Sequence, residues 1–174
     1  MNLVLRNLDK HDEKAFREGL EAFSDMELSW YSFIWNSEMT FSELLEIQRK
    51  KTQGIDIPSG RVPDSMLYAF VDGKIVGRSS IRHELNDHLF KLGGHIGYAV
   101  ASSYRQKGYA TEILKQSLIY CRDVLNLDKV LVTCDDDNVA SIKTIEKNGG
   151  ILENKIKVKE EDVLTRRYWI NLKG

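Results

Sequence analysis

Apolar residues along the chain recur with two periods, and each change of period marks the passage from strand to helix or back. Leu3, Leu5 and Leu8 sit among polar residues as in a short first strand. Ala15, Phe16, Leu20 and Phe23 then fall on one side of a helix spanning about Asp9 to Phe23. The stretch from Ser29 to Gln53 is rich in aromatics, at Trp30, Tyr31, Phe33, Trp35 and Phe41, and ends in a helical pattern through Leu44, Leu45, Ile47 and Gln48. It predicts one or two helices that fill the core and also wall a cavity. Both prolines, Pro58 and Pro63, lie with Gly54 and Gly60 between Thr52 and Asp64, so regular structure stops there. Met66 to Val71 and Ile75 to Arg82 flank Asp72-Gly73-Lys74, a hairpin signal because Gly73 takes positive φ freely.

A strand from Gly93 to Val100 follows, with Gly97 in its middle, where a glycine marks a bulge or a close backbone approach. Ala110, Ile113, Leu114, Ser117, Leu118, Cys121 and Leu125 recur at helical spacing and predict a helix with one face on a sheet. Lys129 to Cys134, with Val130-Leu131-Val132 inside it, reads as a buried strand. Asp135 to Asn138 caps a helix carrying Val139, Ile142 and Ile145, which Gly149-Gly150 ends. Ile151 to Lys157 and Leu164 to Leu172 form a terminal hairpin around Lys159 to Asp162. The order β-α-α-β-β-β-α-β-α-β-β predicts an α/β fold with one β-α-β crossover.

Composition narrows the class. A chain of 174 residues with 42% hydrophobic content builds one domain, 1–174, with a sizeable core. Its net charge of −1 is spread along the chain, which argues against nucleic acid. The N-terminus lacks a signal peptide and no apolar run approaches membrane-spanning length, so the expected location is the cytoplasm, with no membrane partner. Cys121 and Cys134 lack metal-ligand spacing and are expected as reduced thiols, and no metal is expected. A homodimer is compatible with all of this.

The chemistry concentrates between the strand ending at Val100 and the helix after it. Tyr104-Arg105-Gln106-Lys107-Gly108-Tyr109-Ala110-Thr111 reads as a turn feeding a helix N-terminus. Such a turn leaves N–H groups unpaired and adds the positive end of the helix dipole, which suits a pyrophosphate. Gly108 lets backbone approach an anion, and Arg105 and Lys107 add charge. The run R-x-x-G-x-A resembles the acyl-CoA signature, Q/R-x-x-G-x-G/A, of the GNAT superfamily of N-acyltransferases, and the element order resembles that fold from end to end. The resemblance implies a mixed twisted sheet of about seven strands, flanked by helices, with a bulge splaying the fourth strand from the fifth.

Pantetheine would lie in that splay, paired with the backbone of Tyr98, Ala99 and Val100, while Arg105 to Thr111 hold the pyrophosphate. Asn138 and Ser141 resemble the family's N-x-x-A/S motif, where the asparagine meets pantetheine; Asn138 reads equally as a helix cap. Many members carry a tyrosine seven residues after that asparagine as the acid for the CoA thiolate. Here that position is Ile145.

The implied reaction moves an acetyl group from acetyl-CoA to an amine of a small molecule or peptide in a direct ternary complex. It needs a neutral amine, close approach to the carbonyl and oxyanion stabilisation. His95, which titrates near neutrality, and Glu84, at the end of the preceding strand, are the candidate bases, each also readable as an ordinary surface or strand residue. Tyr98 is a candidate proton donor, and a backbone N–H near Ala99 or Val100 the oxyanion donor. The alternative is a non-catalytic acyl-CoA-binding regulatory module. A nucleotide-binding domain is disfavoured by the lack of G-x-G-x-x-G.

Overall fold

The computed structural model describes residues 2–24, 26, 28–157 and 163–173. Its elements are β1 (Val4–Arg6), α1 (Glu13–Ala22), α2 (Phe41–Thr52), β2 (Asp64–Val71), β3 (Lys74–Arg82), β4 (Ile96–Val100), α3 (Tyr109–Asp123), β5 (Lys129–Asp135), α4 (Val139–Lys147), β6 (Ile151–Lys157) and β7 (Leu164–Asn171). Short 3-10 turns stand at Leu28–Trp30 and Ser102–Tyr104, and a π-helical turn at Leu89–Gly93. The order is the expected one. The turn expected around Lys159 to Asp162 lies outside the described residues.

Local chemistry sets several boundaries. Asp72 (φ 49°) and Gly73 (φ 76°) both take positive φ, as a two-residue hairpin between β2 and β3 requires. The first helix begins at Glu13 rather than Asp9, because the Asp12 carboxylate is taken by the Arg6 guanidinium at 2.6 and 2.7 Å and by the Asp9 N–H at 2.7 Å. The second begins at a capping box: the Thr40 hydroxyl accepts from the Glu43 N–H and the Glu43 carboxylate accepts from the Thr40 N–H. That T-x-x-E spacing is visible in the sequence.

Among the described residues seven strands divide into two antiparallel sheets, β1-β2-β3-β4 and β5-β7-β6. The expected break between the fourth and fifth strands is thus complete enough to end the ladder. One core cluster crosses it, joining Leu67, Ile81 and Ile96 to Leu114 on α3, Ile145 on α4, and Val130, Val132, Tyr168 and Ile170. A second cluster, with Phe16, Tyr31, Trp35, Phe41 and Tyr68 in aromatic contact, packs α1 and α2 on the first sheet.

The separation does not come from a bulge within β4. That strand pairs with β3 in unbroken register from Gly77 opposite Val100 to Ile81 opposite Ile96. The strands are last in backbone contact where the π-helical turn delivers the chain. Gly94, at φ 59°, lies so close to β5 that a Cβ there would stand 2.6 Å from the Leu131 carbonyl. The next residue, His95, donates its N–H to that carbonyl at 2.7 Å, the one backbone bond between the two strands among the described residues. Beyond this point Gly97 and Tyr98 face Thr133 and Cys134 across a cavity. Gly97 itself is a close approach: the Arg82 guanidinium lies 3.2 Å from the place of its missing Cβ.

Candidate active site

Helix α3 opens on Gly108 in the left-handed region (φ 81°), two residues after Gln106 at φ 61°. The first helical hydrogen bond runs from the Glu112 N–H to the Gly108 carbonyl at 3.2 Å. The N–H groups of Tyr109, Ala110 and Thr111 precede it and point out of the helix end. They open on a cavity of about 640 Å³ lined also by Tyr98, Ala99, Val100, Arg105, Gln106, Gly108, Asn138 and Ser141. Eleven of the twelve residues proposed for the donor therefore line one cleft. Lys107 does not; its ammonium stands 5.4 Å from the Tyr104 ring centroid. Arg105 is exposed, carries no ion pair among the described residues, and donates from Nε to the Val100 carbonyl at 3.3 Å.

Alternation along β4 separates the three residues expected to meet pantetheine. The Ala101 N–H donates to the Val76 carbonyl at 3.1 Å, and the Ala99 carbonyl lies 2.7 Å from where a Gly77 Cβ would stand. Residues 97, 99 and 101 thus turn their backbone groups to β3. The Ala99 amide therefore does not face the gap. The backbone groups of Tyr98 and Val100 face the gap.

A second cavity of about 480 Å³ lies on the other side of the splay and shares Trp30, Tyr98, Asn138 and Ser141 with the first. Its further walls include Phe33, Arg78, Arg82, Thr133, Cys134 and Asp135. Trp30 and Phe33 remain about half exposed while Tyr31 between them is fully buried, so the aromatic segment divides between core and cavity. Tyr31 anchors it by donating its hydroxyl to the Phe16 carbonyl at 2.8 Å.

The catalytic candidates fare differently. His95 lines neither cavity. It is buried, its Nδ1 accepts from the Leu131 N–H at 2.9 Å, and burial pushes its pKa down to about 4. A neutral imidazole so held fastens the base of the splay. Glu84 is exposed on the bend after β3 and also lines neither cavity. Tyr98 stands where the cavities meet. Burial pushes its phenol up to about 12, against a smaller opposing effect of Ser141 and Thr144, which stand outside hydrogen-bond geometry. Ile145 is a fully buried core residue, so the family's tyrosine position is closed to chemistry.

Asn138 does both things the sequence suggested were compatible: its Oδ1 caps α4 by accepting from the Ser141 N–H at 3.1 Å, and its side chain lines both cavities. Burial raises the Cys134 thiol to about 11, which keeps it protonated and poorly nucleophilic. Arg78 and Arg82 were missed, although a charged residue inside the run Ile75 to Ile81 was a signal.

A seven-stranded fold split at its middle, with a helix N-terminus aimed into the split, defines the class. The acetyltransferase (GNAT) domain model matches residues 2–151, and the chain belongs to that family. Among curated proteins it is 35% identical over 60 residues to the uncharacterized N-acetyltransferase YjdG of Bacillus subtilis, covering 34% of this chain and 36% of that protein. The match thus spans about a third of that relative's length. Two solved structures share the fold. An acetyltransferase of the GNAT family from Streptococcus pneumoniae has a TM-score of 0.64 at 16% identity, covering 98% of this chain and 99% of that one. The spermidine N-acetyltransferase of Vibrio cholerae in complex with CoA and spermine has a TM-score of 0.63 at 18% identity, covering 98% and 95%. No helix among the described residues is long and apolar enough to cross a membrane.

Proposed function

We propose that the protein is an N-acetyltransferase that moves the acetyl group of acetyl-CoA to a primary amine by direct attack in a ternary complex. The observation that carries this is the meeting of two cavities at the splay, one ending on the bare amides of α3, the other open to a second substrate. The 640 Å³ cleft fits the donor: Tyr109, Ala110 and Thr111 with Arg105 and Gly108 take the pyrophosphate, and the Tyr98 and Val100 backbones and Asn138 take pantetheine. The CoA held by the Vibrio cholerae protein supports the reading by analogy.

In this reaction the amine nitrogen attacks the thioester carbonyl, the carbon–sulfur bond breaks, and the proton lost by nitrogen balances the one gained by sulfur. The Tyr98 or Val100 N–H, turned into the gap, supplies the oxyanion donor. The Tyr98 phenol stays protonated at working pH, so it donates a hydrogen bond to the departing thiolate and does not act as a base. Among the described residues neither cavity offers a buried carboxylate or imidazole, so the amine's proton leaves through water in the open acceptor cavity.

The test is a panel of primary amines incubated with acetyl-CoA, read as thiol release and as acetylated product by mass spectrometry. Product from at least one amine is expected. Binding of acetyl-CoA without thiol release from any amine would favour the non-catalytic module, the reading to which the core position of Ile145 lends weight.

A further inference from the structure

Arg78 is 2% exposed and has no carboxylate partner among the described residues. Its Nε donates to the Trp30 carbonyl at 2.8 Å and its Nη2 to the Ser29 carbonyl at 3.3 Å, while Nη1 is buried with no partner among the described residues. The guanidinium lies 4.7 Å from the Phe33 ring centroid and 5.9 Å from that of Trp30. Four residues along β3, on the same face, stands Arg82, whose guanidinium is spread over Gly97. Asp64, whose field reaches Arg82, is bridged to Lys51 at 2.8 Å. Both arginines line the acceptor cavity, and the one carboxylate among its lining residues, Asp135, is exposed.

A buried charge without a counter-ion is costly, and the cost is relieved when an anion completes the pair. The other arginine buried among the described residues, Arg167, also leaves one nitrogen, Nη2, without a hydrogen bond, but its charge is bridged to Glu153 at 2.6 Å and it lines neither cavity. Resting on the acyltransferase reading above, we infer that the acceptor is an amine that also carries an oxyanion group, foremost a carboxylate, held by Arg78 and Arg82. A guanidinium offers parallel N–H donors that match a carboxylate, both side chains line the cavity, and Nη1 of Arg78 makes no hydrogen bond among the described residues. A polycation would place ammonium groups beside two arginines and is disfavoured. The same two charges ease deprotonation of the attacking amine, since a nearby positive charge disfavours its ammonium form.

The experiment compares kcat/KM for an α-amino acid, its carboxamide, an aminoalkyl phosphate and spermine, in the wild type and in Arg82→Gln, Arg82→Lys and Arg78→Lys. Arg82 is the lead position because Arg78 also fastens the Ser29–Trp30 turn and its variants can lose fold. The wild type is expected to prefer an anionic amine over the carboxamide by roughly tenfold or more. The amino acid and phosphate arms tell which oxyanion is used. In Arg82→Gln this preference should collapse toward one, mainly through KM, and Arg82→Lys should restore part of it; retained stabilisation by CoA is the control for folding. Equal rates for amino acid and carboxamide, a preference for spermine, or an unchanged preference in Arg82→Gln would each overturn the proposal while leaving acetyl transfer intact. If no amine is acetylated, the acyltransferase reading fails instead. Binding of an N-acetylamino acid to the CoA complex then decides the anion site: weaker binding in Arg82→Gln upholds it, and no binding in the wild type overturns it.

Discussion

At the residue scale, His95 shows how the same imidazole reads as a base in the sequence and as a fastener in the fold. Burial lowers its pKa from the usual 6.5 to about 4, so the native state holds it neutral while the unfolded chain takes up a proton below pH 6.5. Its contribution is therefore fully present above about pH 6.5 and is lost as pH falls toward 4, on the order of 2 kcal/mol over that window. His83, also lowered by burial, adds to the slope. Urea melts of wild type and His95→Gln at pH 7.5, 6 and 4.5 should show a clearly shallower acid loss in the variant. An identical slope would mean that His95 is not buried as described. Alternation along a strand tells which face a side chain takes but not how deep it lies, and the hydrogen bond from Leu131 that occupies Nδ1 joins residues 36 apart. That Tyr98, Asn138 and Ser141 would stand together at one cavity was legible because strand end and helix cap are each contiguous signals.

At the element scale, the central device is the entry into β4, where a π-helical turn ends on Gly94 against Leu131. Nothing in Leu89 to Gly93 distinguishes a π turn from an ordinary loop by pattern, which is why a bulge within the strand was the natural expectation. Two glycines separate backbone strain from contact. Gly149, at φ 83° with open space around its missing Cβ, should lose about 1–2 kcal/mol as Gly149→Ala from the left-handed conformation alone. Gly94→Ala adds a backbone clash at 2.6 Å and should cost clearly more, together with weaker CoA binding as the base of the splay shifts. Denaturant midpoints for the two variants check this; equal losses would mean that the Gly94 to Leu131 contact does not hold the strands. The helix after the signature was legible to within two residues of its end, since its apolar spacing and its glycine start lie in one continuous stretch.

At the scale of the whole molecule, the two sides of the splay differ in how far the sequence reveals them. The donor side is built largely from one stretch, Tyr98 to Thr111, so chain order brings most of it together, and the fold adds Trp30 and the start of α4. The acceptor side draws Trp30 and Phe33 from one segment, Arg78 and Arg82 from β3, and Thr133 to Asp135 from β5, and only the fold assembles it. Binding at the assembled splay should stabilise the native state: CoA at 100 times its dissociation constant adds about 2.7 kcal/mol, or roughly 5 to 10 °C in melting temperature at this chain length. The most direct measurement is this shift, with CoA, in wild type and in Gly108→Glu, which sets a carboxylate at the opening of α3. A shift of that size in the wild type and its loss in a variant that melts normally without ligand is the expected result. No shift with CoA in the wild type, or binding in Gly108→Glu within about threefold of it, roughly 0.65 kcal/mol, would contradict a donor phosphate held at the α3 N-terminus.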